Sequence, residues 1–180
     1  MFKYQDLGPT GVPAKGARLI HRHLIELGSR VPPRVQAAVF RTLWNSWVTE
    51  RRFQRRRTVK NVCVFKCSIT AEDSLEHYCR CPVVLRVGRN SLRIDYPPQE
   101  GLNIWTLNSY WVEREDIMCR LAILVYGTYT AFNSIKHKGI SDSQQAHECI
   151  VQSCRQGVVG SDKCTQLWDN SWSLPILYYY

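Results

Sequence analysis

The 180-residue sequence contains no long apolar run, and its first residues, MFKYQDLGPTGVPAKG, hold no apolar signal-peptide core. Its longest apolar stretch, Ile117 to Phe132, is interrupted by Arg120 and is too short and too amphipathic to span a bilayer. Repeats of solenoid length and lipidation motifs are also missing. No membrane partner is therefore expected. With no secretory leader, the eight cysteines are expected in a reducing, intracellular compartment, not in a disulfide framework.

Acidic residues are scarce in one region above all. Between Arg30 and Lys66 there are ten basic residues and a single acid, Glu50, while the rest of the chain carries fourteen of each sign. The whole net charge of +9 thus lies in that segment. Such a concentrated positive field is the footprint of a nucleic-acid partner. A solvated basic helix, or a nuclear-import signal made of Arg51 to Arg57, is the plainer alternative. The expected location is nuclear.

Beside this region stands the most specific chemical pattern in the chain. Cys63, Cys67, His77 and Cys81 lie within the 19 residues CVFKCSITAEDSLEHYCRC. Structural zinc takes four sulfur or nitrogen ligands, often a short Cys pair plus a second pair presented by a helix. Thr70-Ala-Glu-Asp73 reads as a capping box, with Glu72, Asp73 and Glu76 favourable near the positive helix end. His77 and Cys81, four apart, would then share one helical face. Cys79, two residues from His77, ranks behind Cys81. The plain alternative makes the cysteines small buried hydrophobes and His77 a surface histidine. With four protein ligands the site has no open position for water, which points to a structural metal. If Cys81 were not a ligand, Glu76 would be the nearest general base.

The chain around this cluster reads as mainly α: a helical domain with a small Cys/Cys/His/Cys zinc-stapled insert. Residues 1–13, with two Gly and two Pro, are expected to be mobile. The 14–57 segment is helical and basic, the zinc insert covers 58–82, a loop plus helices fill 83–157, and 158–180 is an atypical tail. Leu19, Ile20, Leu24 and Leu27 mark a first helix, and Val35, Val39, Leu43 and Trp47 a second, opened by Pro32-Pro33. Trp44 and Trp47 beside arginines invite a base-stacking role, but their spacing places both in the buried stripe. Val59 to Phe65 suggests a short strand. From Pro82 to Asn108 the Pro and Gly content predicts a loop. Glu113 to Lys136 and Asp142 to Gln156 are further helices.

At TLWNSWVTERRFQRR, CVFKC and DSLEHYCRCP the chain resembles the zinc-binding region C-terminal to the reverse transcriptase of LINE-like, non-LTR retrotransposons. The resemblance covers Arg41 to Pro82, and more faintly Arg30 through the Glu113 to Lys136 helix. It implies that Cys63, Cys67, His77 and Cys81 ligate zinc, and that Arg51, Arg52, Arg55 and Arg56 belong to a basic helix contacting template RNA or target DNA. No Tyr/Phe-x-Asp-Asp occurs, so the polymerase aspartates are missing. Asp95, Glu100 and Asp162-Lys163 make a poor nuclease set. Cys119, Cys149, Cys154 and Cys164 lack an activating charged cluster.

The expected function is that of a non-enzymatic RNA- or DNA-binding accessory module with a structural zinc and no small-molecule substrate. Phosphate contacts are expected from Arg41, Arg51, Arg52, Arg55, Arg56, Arg57 and Lys60, with Tyr78 a candidate for base contact. A zinc-stabilised protein-interaction module is the alternative.

Overall fold

A computed structural model of the protein describes residues 12–53 and 62–169. Among the described residues there are nine α-helices, two 3-10 turns and no strand, so the chain is mainly α, as its periodicity indicates. The expected mobile N-terminus lies, up to residue 11, outside the described residues. The first part of the strand expected at Val59 to Phe65 lies outside them too, and from residue 62 onward the chain forms only an isolated bridge, Val62 to Glu72.

Helix α1 (Val12–Gly28) forms where expected. Helix α2 (Pro33–Leu43) opens as expected with Pro33 in its first turn, where the missing N–H leaves no hydrogen bond unmade, but it ends at Leu43, short of Trp47, the last residue of its expected stripe. Two short helices follow, α3 (Glu50–Phe53) and α4 (Leu75–Tyr78). Helix α5 (Pro82–Leu92), helix α6 (Gly101–Trp105), helix α7 (Glu115–Lys138), helix α8 (Ser143–Val158) and helix α9 (Asp162–Asp169) complete the order.

The fold is organised around α7. From Ile117 to Val125 every residue is buried, because α1, α2, α5, α8 and α9 all pack on it. A helix apolar on all sides is a core helix. Asp142 starts α8 by accepting hydrogen bonds from the Gln144 and Gln145 amides at 2.8 and 2.9 Å. Two guanidinium groups close helix C-termini, one from the core and one from the surface. Arg120, only 2% exposed, donates to the Leu92 carbonyl at 2.8 Å at the end of α5, and Arg34 donates to the Gln156, Gly157 and Val159 carbonyls at the end of α8. Arg30 pairs with Glu115. Arg30 and Arg34, counted above in the basic segment, are thus engaged in holding helices together.

Two stretches differ from expectation. The predicted loop after Pro82 contains α5, whose Val83, Val84, Val87, Ser91 and Leu92 face the core at helical spacing. It begins with Pro82 in its first turn and stops where Arg93 takes a left-handed φ of 54°. Flanking prolines and Gly88 hid that pattern, and packing against α7 and α8 supplies what propensity lacks. In the 158–180 segment, α9 buries Cys164 and Trp168 against α7 and α8.

Helices α7 and α8 approach closely at Gly127. A Cβ there would meet Cys154 Sγ at 2.2 Å, and the Cys154 amide nitrogen and Ile150 carbonyl oxygen at 3.0 and 3.1 Å. Gly127→Ala is expected to cost about 1–3 kcal/mol by overpacking, read as a lowered urea midpoint with an unchanged slope. A midpoint equal to the parent's would show that the two helices separate freely.

Candidate metal centre

Two short turns bring the four candidate ligands together. In the first, the Cys63 amide donates to the Ala71 carbonyl at 2.7 Å, next to the Val62–Glu72 bridge. The Lys66 amide then reaches back to the Cys63 carbonyl at 3.1 Å while Lys66 adopts a left-handed φ of 53°, which returns Cys67 beside Cys63. In the second, Ser74 and not Thr70 caps the helix, its hydroxyl accepting from the His77 amide at 3.2 Å. The expected capping box is displaced because Ala71 and Glu72 are held in the bridge with Val62 and Cys63. Glu72 instead pairs with Arg51 at 2.9 Å, and Asp73 is buried. Nor do His77 and Cys81 share a helix: α4 ends at Tyr78, and Cys81 stands at the N-cap of α5.

The ligand atoms of Cys63, Cys67, His77 and Cys81 nevertheless all lie within 4.8 Å of one another. Cys67 Sγ and His77 Nε2 are 3.2 Å apart, so the imidazole presents Nε2 to the sulfurs. Cys63 and Cys81 are buried, and Cys67 and His77 half-buried. Cys79 turns away and donates its thiol to the Glu76 carbonyl at 3.2 Å, as its ranking behind Cys81 implies.

The three thiols do not ionise alike. Hydrogen bonds from Cys63 and Cys81, with His77 alongside, hold Cys67 far below the usual thiol value. Its hydrogen bonds to Cys67 and Cys81, with burial, hold Cys63 far above it. Cys81 is pushed up to about 12: the Cys63 hydrogen bond lowers it, but the Cys67 hydrogen bond, burial and the Cys67 charge outweigh that. Three cysteine sulfurs and one imidazole nitrogen form a donor set able to hold a metal ion, which takes cysteine as thiolate.

Behind the cluster, Tyr78 and Asp73 tie it to the helical core. Tyr78 is fully buried, 5.8 Å from Trp47 in a stacked pair and edge-on to Phe65 and Phe132 at 5.1 and 5.3 Å. Its hydroxyl donates to Asp73 at 2.7 Å and accepts from the Val64 amide at 3.3 Å. That burial removes Tyr78 from the candidates for base contact. Asp73, 1% exposed, also accepts from the Glu50 amide at 3.0 Å and from Lys136 of α7 at 3.3 Å, and Lys136 bridges to Glu50 at 3.2 Å. From the opposite side, Gly101 lets α6 approach: a Cβ there would lie 2.5 Å from the Cys79 carbonyl oxygen, which also accepts from Tyr96 at 2.8 Å. Sequence reasoning treated Asp73 only as a helix-end charge, since its partners lie as far away as residue 136.

Of the expected phosphate contacts, Arg41, Arg51 and Arg52 are exposed. Arg41 lies over the Tyr129 ring, 5.4 Å from its centroid, and Arg52 donates to the Trp47 carbonyl at 3.4 Å. Arg55, Arg56, Arg57 and Lys60 lie outside the described residues. Among the described residues no helix is long and apolar enough to cross a membrane. No family model, curated protein or solved structure matches this chain.

Proposed function

We propose that the chain is a nucleic-acid-binding accessory module in which Cys63, Cys67, His77 and Cys81 hold one structural zinc ion. The convergence of the four ligand atoms within 4.8 Å carries the metal part of this reading. Three thiolates and an imidazole suit a soft or borderline cation over magnesium or calcium, and four protein ligands complete a tetrahedron with no place for a reacting water. Zinc–sulfur bonds of about 2.3 Å need sulfurs about 3.8 Å apart, so the cluster closes on the ion with small movements.

The nucleic-acid part rests on charge. The segment that runs into Cys63 carries nearly all the unbalanced positive charge of the sequence, and its described members Arg41, Arg51 and Arg52 are solvent-facing. Asp73 links the start of α3 to the metal loop through the Glu50 amide, and Arg51 pairs with Glu72, so an ion in the cluster would steady these arginines. In this reading the zinc positions and the guanidinium groups bind phosphates. It is the arrangement expected of an accessory module like that found C-terminal to LINE-like reverse transcriptases.

Binding is expected to weaken steeply with salt, by about one decade of affinity per decade of salt for each phosphate neutralised. Replacing Arg51, Arg52, Arg55 and Arg56 by Gln should flatten that dependence by up to about four and reduce affinity for RNA and DNA alike, as measured by fluorescence anisotropy. A variant that binds both as the parent does would remove the nucleic-acid role and leave a zinc-stabilised protein-interaction module.

A further inference from the structure

Trp44 is the most exposed aromatic side chain among the described residues, at 75%, whereas Trp47 is fully buried. Helical geometry explains the split. Helix α2 faces the core with Val35, Ala38, Val39 and Thr42; at 3.6 residues per turn Trp44 falls about 180° from Val35, on the opposite pole. The helix then ends, Asn45 takes a left-handed φ of 48°, and the redirected chain delivers Trp47 to the core, where its indole N–H donates to Thr42 at 3.0 Å. Trp44 is thus presented by the same turn that buries Trp47.

The surroundings of Trp44 select its occupant. Phe40, 39% exposed, lies one turn earlier on the outward side, and Arg41 lies three residues earlier, about 5–6 Å away between Cβ atoms. The Arg41 guanidinium rests over Tyr129, at the border between α7 and the solvent-facing side of α2. Glu50, the one acid between residues 30 and 66, is turned inward against Lys136. An exposed indole on a segment of strongly positive net charge suits a flat, electron-rich group carried by a polyanion better than an apolar helix or a neutral protein surface.

We infer that Trp44 is a stacking platform for an unpaired base of single-stranded nucleic acid, with Arg41 at the adjoining phosphate. This rests on the nucleic-acid reading above and adds a preference for unpaired strands that charge alone does not confer.

The test uses the full chain, zinc-loaded, with a fluorescein-labelled 20-nucleotide oligo-dT, an abasic strand of equal length and a fully paired hairpin. Trp44→Ala is expected to weaken oligo-dT binding about 5- to 150-fold, with the salt slope unchanged because no charge is removed. Binding to the abasic strand and the hairpin should change less than about twofold, and Trp44→Tyr should restore most of the oligo-dT affinity. Oligo-dT should also quench the parent's tryptophan fluorescence more than that of Trp44→Tyr. Equal oligo-dT affinity of Trp44→Ala and parent overturns the inference alone, provided that the arginine variant loses binding. An equal loss on all three probes overturns it as well, as does a Trp44→Ala effect confined to self-association in sedimentation. A parent that binds none of the probes overturns both this inference and the reading beneath it.

Discussion

Cys63→Ser is expected to release the bound metal and lower the melting midpoint by about 8–16 °C. The span between Val62 and Cys81 has little to hold it apart from its side chains: one isolated bridge and a four-residue helix. A single turn of helix and one bridged pair are not stable alone in water. A cation clamped by the four candidate ligands would supply the missing cross-link. An ion at about a thousand times its dissociation constant contributes about 4 kcal/mol, and each kcal/mol moves the midpoint of a chain this size by about 2–4 °C. Calorimetry with metal analysis reads both quantities. Cys79→Ser is the control, because that thiol faces the Glu76 carbonyl and should keep one equivalent of metal. Metal uptake must also expel protons from Cys63 and Cys81, so a chelator should strip the protein more readily as pH falls. A Cys63→Ser protein that holds one metal at the parental midpoint would refute the assignment of that ligand.

Asp73→Ala is expected to cost about 3–5 kcal/mol in urea unfolding. The carboxylate is buried and accepts from Tyr78, the Glu50 amide and Lys136 together, so its removal leaves the Tyr78 hydroxyl and the Glu50 amide without this acceptor and takes from Lys136 one of its two anions. Tyr78 feels the cost most, because its hydroxyl sits between the metal loop and the aromatic group of Trp47 and Phe132. Asp73→Asn keeps acceptor oxygen on one side and should cost about half as much. Lys136→Met should cost about 3 kcal/mol, since it leaves the buried Asp73 and half-buried Glu50 carboxylates without their cation. Asp73→Ala within about 0.5 kcal/mol of the parent would show that the network carries no load.

Both predictions concern the joint between metal loop and helical core, and the two sides of that joint differ in how far the sequence reveals them. The four ligands were legible from residue type and spacing, because zinc chemistry restricts donors to Cys and His and short turns restrict how far apart they stand. The geometry by which they meet was not. Thr70 and Ser74 are both plausible caps, and the choice fell to Ser74 once Cys63 paired with Ala71 across the bridge. Likewise, Trp44 and Trp47 both fit a helical stripe until the helix ends at Leu43 and the chain turns at Asn45.

The sequence by itself determined the helical character of α1, α2, α7 and α8, the identity of the four residues able to hold a metal and the concentration of positive charge before the cluster, because each is written in residue type, local spacing or local caps. Only the tertiary structure decided that α5 and α9 form, that Arg30, Arg34 and Arg120 hold helices together, that Asp73 and Tyr78 become the buried link to α7, and which tryptophan faces water. These depend on which surfaces meet across separations of up to 134 residues, as between Arg30 and Cys164. Burial and charge pairing are properties of the assembled chain, and no local window contains both partners.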